Sequence, residues 1–127
     1  MEEEKRAPAF SLAARAQSFR YALAGFPVLL STQHNARIHA VATILVVIAG
    51  LIVRVSPLEW ALLFLAIGMV WAMEAMNTAL ELLADEISLE QRPRIGKAKD
   101  VGAFGVLAAA IVAVLIGIFV FLPHLWP

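Results

Sequence analysis

The sequence contains no cysteine, which excludes a disulfide framework and any thiolate-ligated metal centre. Charge is scarce as well: Asp, Glu, Lys and Arg make up 16% of the 127 residues, against roughly 25% in an average globular domain. The formal net charge is zero, so no basic excess is available to hold nucleic acid. Neither a G-x-x-x-x-G-K-[ST] phosphate loop nor a kinase-type G-x-G-x-x-G occurs, and the standard nucleotide-binding folds are excluded with them. The opening MEEEKRAPAF is acidic and polar with no apolar core behind it, which argues against a cleaved secretory signal. What the sequence has in abundance is apolar side chains, at 61%. That composition points to an all-α integral membrane protein.

Residues 1–10 offer almost nothing to bury and read as a disordered polar tail. From Ser11 the pattern changes: Leu12, Ala16, Phe19, Leu23 and Phe26 recur at helical spacing, with Arg15, Gln17, Ser18 and Arg20 between them. This predicts an amphipathic helix over 11–30, too polar to span and suited to the membrane interface with its arginines toward lipid phosphates. Gly25 and Pro27 are expected to end or kink it. Residues 31–39, STQHNARIH, read as a short polar bridge.

Three apolar stretches follow, predicted as membrane helices over 38–55, 58–88 and 101–122. The second, at ~1.5 Å per residue, is ~45 Å long against ~30 Å of hydrocarbon, so its charged end must emerge. Between the second and third lies QRPRIGKAKD, the one strongly basic loop, where Pro93 and Gly96 argue against continuous helix. Gly105, Ala109, Ala113 and Gly117 form a small-residue ridge that lets another helix approach closely. Lys5, Arg6, Arg15, Arg20, Arg37, Arg92, Arg94, Lys97 and Lys99 fall on one side of the membrane and Arg54 alone on the other. The N-terminus and the basic loop are therefore expected in the cytoplasm, with the spans in the plasma membrane.

The organising stretch is 71–85, WAMEAMNTALELLAD. Glu74, Asn77, Glu81 and Asp85 are three, four and four residues apart, which at ~100° per residue confines them to a sector of roughly 80°. A polar stripe on an otherwise apolar helix needs a cation, a proton or a basic partner between its carboxylates. Carboxylates within a membrane helix are expensive and point to function. Glu74 lies deepest and suits a general base acting on a group presented from the bilayer. Glu81, nearer water, suits a hard divalent cation. Lys97 and Lys99 bring positive charge to the same level, where nucleotide phosphates would bind. Together these describe phosphoryl transfer onto a lipid hydroxyl. Blander assignments exist: Glu81 and Asp85 as a solvated helix end paired with Lys97 or Lys99, Arg94 and Lys97 as topology signals, and Asn77 as interhelical glue. His34 and His39 read as interfacial residues rather than metal ligands, and His124 lies on the opposite side.

Four segments, SFRYALAGF (18–26), NARIH (35–39), EAMNTALELLAD (74–85) and GKAKDVGA (96–103), resemble the small prokaryotic diacylglycerol kinases, a family that includes the undecaprenol kinases. The E-x-x-N-[ST]-A-[IL]-E-x-x-x-D core with A-K-D downstream is the specific part, and the resemblance extends from about Ser11 to the end. It implies a homotrimer with active sites shared between neighbours. It implies transfer of the γ-phosphate from Mg-ATP to a lipid alcohol without a phosphoenzyme. It implies Glu74 as catalytic base at the lipid hydroxyl, Glu81 as magnesium and nucleotide ligand, and Asn77 as the residue orienting phosphate and carboxylate. Lys99 and Asp100 match the nucleotide-contacting pair, Tyr21 and the segment Glu90 to Arg92 fall where nucleotide binds, and Arg15 falls near the adenine. Gln33 stands where many members have a glutamate metal ligand, so weaker or water-mediated magnesium binding is expected.

The expected substrate is diacylglycerol, giving phosphatidic acid, with undecaprenol as the alternative. Two other classes compete: a small proton-coupled transporter with Glu74 as relay carboxylate, and an assembly subunit using its small-residue ridge. The transporter would need polar groups reaching both faces, and the first and third spans supply no ionisable residue to their outer halves.

Overall fold

The computed structural model describes residues 10–126. The described chain is helical throughout, in four elements: α1 (Leu12–Thr32), α2 (His34–Val53), α3 (Pro57–Ile87) and α4 (Pro93–Leu125). Three of them, α2, α3 and α4, are long and apolar enough to cross a membrane. The chain divides into two compact units, one ending at Thr32 and one running from Gln33. The tail expected over 1–10 lies, except for exposed Phe10, outside the described residues.

In the first unit, α1 runs through Gly25 and Pro27 instead of ending there. A proline deletes one backbone donor, and the helix continues past it. The helix closes five residues later, where the Ser31 and Thr32 hydroxyls both donate to the Val28 carbonyl at 3.1 and 2.7 Å.

In the second unit, α2, α3 and α4 run antiparallel to one another in sequence order. His39 meets Glu74, Thr43 meets Trp71 and Gly50 meets Trp60, which fixes α2 against α3. Asp85 meets Lys99, Asn77 meets Gly102 and Glu59 meets His124, which fixes α3 against α4. Large apolar side chains such as Leu45, Phe64, Phe104 and Phe119 point outward. Glu74, Asn77 and Thr78 are buried. Outward apolar groups with inward polar ones are what hydrocarbon surroundings require.

The turn between α2 and α3 is built from local chemistry. Arg54 adopts the left-handed conformation, and the N–H groups of Arg54 and Val55 both reach the Gly50 carbonyl. Ser56 Oγ accepts the Glu59 N–H at 3.3 Å while Glu59 Oε2 accepts the Ser56 N–H at 2.6 Å, a reciprocal cap with Pro57 in the first turn. Such a cap stabilises a helix by ~1 kcal/mol. Val55, Leu63 and Val120 form a small buried cluster beside it, backed by Trp60.

Several boundaries differ from the sequence reading. Most of the expected polar bridge over 31–39 is helix, because α2 begins at His34 and Gln33 is the single extended residue (φ −113°, ψ 119°). Polar residues do not prevent a first helical turn, whose N–H groups have no partners within the helix in any case. The basic loop is likewise mostly helix: Pro93 opens α4, where its missing N–H costs nothing, and Gly96 donates to the Arg92 carbonyl at 2.9 Å. At the other end α4 continues through Pro123 to Leu125. The small-residue ridge on α4 is divided in its use. Gly105 lies against Met73 of α3, whereas Gly117 has nothing within 4 Å of where a Cβ would be.

Candidate active site

Helix α3 supplies the core of the site. Glu74 sits mid-helix with its side chain 1% exposed, and its Oε2 has no hydrogen-bond partner. His39 Nε2, from the second turn of α2, lies 3.7 Å from that oxygen. Thr78, one turn on, directs its hydroxyl to the Glu74 backbone carbonyl at 2.9 Å and leaves the carboxylate free.

The next acid is engaged on both oxygens. Gln33 Nε2 donates to Glu81 Oε2 at 3.1 Å, and Asn77 Nδ2 donates to Glu81 Oε1 at 3.2 Å. An ionised carboxylate only accepts, so both amides must turn their nitrogens toward it. Their oxygens are then presented away from Glu81, and Asn77 Oδ1 is buried without a partner. Because Gln33 precedes α2 and makes no side-chain cap with it, its amide is available to reach across to α3.

Among the described residues no group of three or more His, Cys, Asp or Glu side chains gathers to hold a metal. A carboxylate held by two amides whose oxygens face a cation only if the amides turn, one of those oxygens being orphaned in a buried position, nevertheless fits a hard divalent cation that retains waters and takes phosphate oxygens.

Asp85, at the end of the stripe, is turned to another task. Its Oδ1 accepts from Lys99 Nζ at 2.5 Å, tying the last turns of α3 to the first turns of α4. Beside this pair lies a cavity of ≈ 580 Å³ whose lining includes Glu90, Arg92, Gly96 and Lys99. A second, apolar groove of ≈ 340 Å³ begins at His39 and Thr43 and runs between the helices past Val70 to Ala113, Gly117 and Phe121. A cavity of mixed charge thus lies at the α3–α4 turn, and an apolar groove between the helices starts at the His39 that faces the buried acid.

A family model described as prokaryotic diacylglycerol kinase matches residues 20–121. The chain belongs to that family. It is 37% identical over 109 residues to the undecaprenol kinase of Bacillus subtilis, covering 86% of this chain and 89% of the relative. It is 38% identical over 109 residues to a diacylglycerol kinase of Synechocystis, covering 85% of this chain and 62% of the relative. The diacylglycerol kinase of Escherichia coli is 35% identical over 79 residues, 62% of this chain and 65% of that one. The expectation of an ATP-dependent lipid kinase in a bacterial membrane is met at this level.

Within this kinase the structure brings together Glu74, Asn77, Glu81 and Gln33, and separately Asp85, Lys99, Glu90 and Arg92. Glu90 and Arg92 are exposed, 3.9 Å apart. Asp100 is exposed on α4, one residue past Lys99. Arg15 and Tyr21 are exposed on α1, where Tyr21 Oη accepts from Gln17 Nε2 at 2.8 Å. Sequence reasoning set His39 aside as interfacial and missed Thr43, Trp71 and Gly102. The signal available for His39 was its place in NARIH, five residues into α2 and level with Glu74 only once α2 and α3 are paired antiparallel.

Proposed function

We propose that this chain transfers the γ-phosphate of Mg-ATP to the primary hydroxyl of a membrane lipid, diacylglycerol, giving phosphatidic acid. The observation that carries this reading is the position of Glu74. It is a buried carboxylate with an open oxygen, next to the His39 that heads an apolar groove, one turn from the polar Asn77–Glu81–Gln33 cluster. The lipid tail occupies the groove and its hydroxyl reaches Glu74, the base that takes the hydroxyl proton. The nucleotide lies toward the cavity that Lys99 and Arg92 help to line, with those two at its phosphates, Asn77 and Glu81 between phosphate and base, and Asp100, Glu90, Tyr21 and Arg15 as further nucleotide contacts. Glu81, with Gln33 once its amide oxygen turns inward, would hold magnesium, which would supply positive charge to the transferring phosphate.

Residues 11–127 act as one lipid-kinase domain in this reading, with residues 11–30 at the membrane interface. The basic ends of α2 and α4 and the N-terminus face the cytoplasm, with Arg54 outside. The kinase is a homotrimer with shared sites. An exposed ridge of Gly68, Ala72, Ala75 and Ala79 on α3 gives copies of that helix a close approach.

Undecaprenol is the second reading for the substrate, favoured by the match that spans 89% of the Bacillus undecaprenol kinase. Purified protein in mixed micelles with labelled ATP and either lipid separates the two: label in phosphatidic acid supports the first, label in undecaprenyl phosphate the second. Label in neither, with proton flux in liposomes, would overturn both in favour of transport.

A further inference from the structure

A base that works while buried must lose its proton before it can work again. Glu74 is 1% exposed and has no direct route to water. Of the groups around it, Thr78 is committed to the Glu74 backbone carbonyl, and Asn77 and Gln33 are amides bound to Glu81. Amides do not carry protons near neutral pH. His39 is different. Its Nε2 faces the unpartnered Glu74 Oε2 at 3.7 Å, a separation that a small rotation of either side chain closes to hydrogen-bond length. Its side chain is 17% exposed, so it touches both the buried acid and the outside.

The place of His39 is secured by a second contact. Thr43 Oγ1 donates to the His39 carbonyl at 2.7 Å, and the Trp71 indole N–H donates to that same hydroxyl at 3.1 Å. Trp71 is three residues before Glu74 and Thr43 four after His39, so this bridge holds α2 and α3 in register one turn away from the acid. An imidazole is the side chain best suited to accept and release a proton under physiological conditions.

We propose that His39 receives from Glu74 the proton taken from the lipid alcohol and passes it to water, resetting the base between turnovers; this rests on the assignment of Glu74 as base. As the lipid oxygen bonds to phosphorus, the bond from phosphorus to the departing ADP oxygen breaks and the hydroxyl proton moves to the Glu74 carboxylate. That proton then moves from Oε2 to Nε2 of a neutral imidazole protonated at Nδ1. The imidazolium releases one proton to water. No electrons are exchanged and no further reactant is consumed.

A histidine that only orients Glu74 needs an N–H, which glutamine also supplies. A proton carrier needs a titratable nitrogen. The test therefore compares His39→Gln, His39→Ala and Glu74→Gln with the full chain in micelles, using Mg-ATP with diacylglycerol and, separately, with undecaprenol. Both His39 variants are expected to lose about tenfold or more in kcat. Their KM values for lipid and nucleotide should move by less than about twofold. Added imidazole should restore His39→Ala in proportion to its concentration and leave the unsubstituted enzyme unchanged. Unaltered helical circular dichroism and Mg-ATP binding show that the fold persists. A His39→Gln enzyme with full kcat, or a slow His39→Ala enzyme indifferent to imidazole, overturns the proposal. Glu74→Gln keeps the two assignments separable: if it turns over normally the base itself is wrong, whereas an inert Glu74→Gln beside fully active His39 variants removes only the relay.

Discussion

Gly102 of α4 lies so close to Asn77 of α3 that a Cβ on it would stand 2.5 Å from Asn77 Oδ1 and 3.5 Å from its Cγ. The amide that donates to Glu81 is therefore braced from behind by a backbone with no side chain. Replacing a helical glycine by alanine ordinarily stabilises a protein by up to ~1 kcal/mol. At Gly102 the added methyl must push the Asn77 amide off Glu81. Gly102→Ala is expected to leave the melting temperature in detergent nearly unchanged and to lower kcat/KM roughly 10- to 100-fold, the scale of an ångström-level displacement at a reaction centre. Steady-state lipid phosphorylation beside a thermal melt checks both halves. A variant with full activity would show that Asn77 is not where the phosphate is handled.

The pairing of Gln33 with Glu81 bears on the metal. With two amide donors on its oxygens, Glu81 is satisfied without a cation. A glutamate at position 33 would replace one donor by a second carboxylate at the same ~3 Å spacing, which is repulsive until a cation enters. Gln33→Glu is therefore expected to lower stability in EDTA by about 1–2 kcal/mol and to reduce the magnesium concentration for half-maximal activity roughly tenfold, or ~1.4 kcal/mol. Melting in EDTA against magnesium, and activity against free magnesium at constant Mg-ATP, measure the two effects. If neither moves, Gln33 is outside the metal shell.

The parts of this site that follow from one helix were legible in the sequence. Glu74, Asn77 and Glu81 share a face because of their spacing alone, and the apolar stretches announce membrane helices by length. What pairing between helices creates was not legible. His39 acquires meaning only when the antiparallel packing of α2 on α3 puts it against Glu74. Gly102 and Trp71 look like ordinary packing residues until Asn77 and Thr43 are found opposite them. Pro93 and Gly96 read as interruptions because both disfavour helix interiors, yet the first turn of a helix accepts proline without loss. The structure carries Arg94, Lys97 and Lys99 on the first two turns of α4, and Lys99 is thereby aimed at Asp85.

Arg54 offers a test of the scaffold away from the chemistry. Among the described residues it is the one non-glycine position with positive φ, at φ 57° and ψ 53°. A side chain in that conformation costs ~1–2 kcal/mol, and glycine relieves it while losing part of the gain to its freer unfolded state. Arg54→Gly should therefore raise stability by about 0.5–1 kcal/mol, read as a higher midpoint of unfolding in detergent. Activity should not change, since Arg54 lies at the opposite end of α2 from His39. Topology should not change either, because removing the one Lys or Arg at that end of the spans only sharpens the difference in basic residues between their two ends. Arg54→Ala separates the two properties of the residue: it deletes the charge and keeps the backbone strain, and so should show no gain. Equal stabilisation by alanine and glycine would mean that the arginine charge, and not its left-handed backbone, is what the turn tolerates.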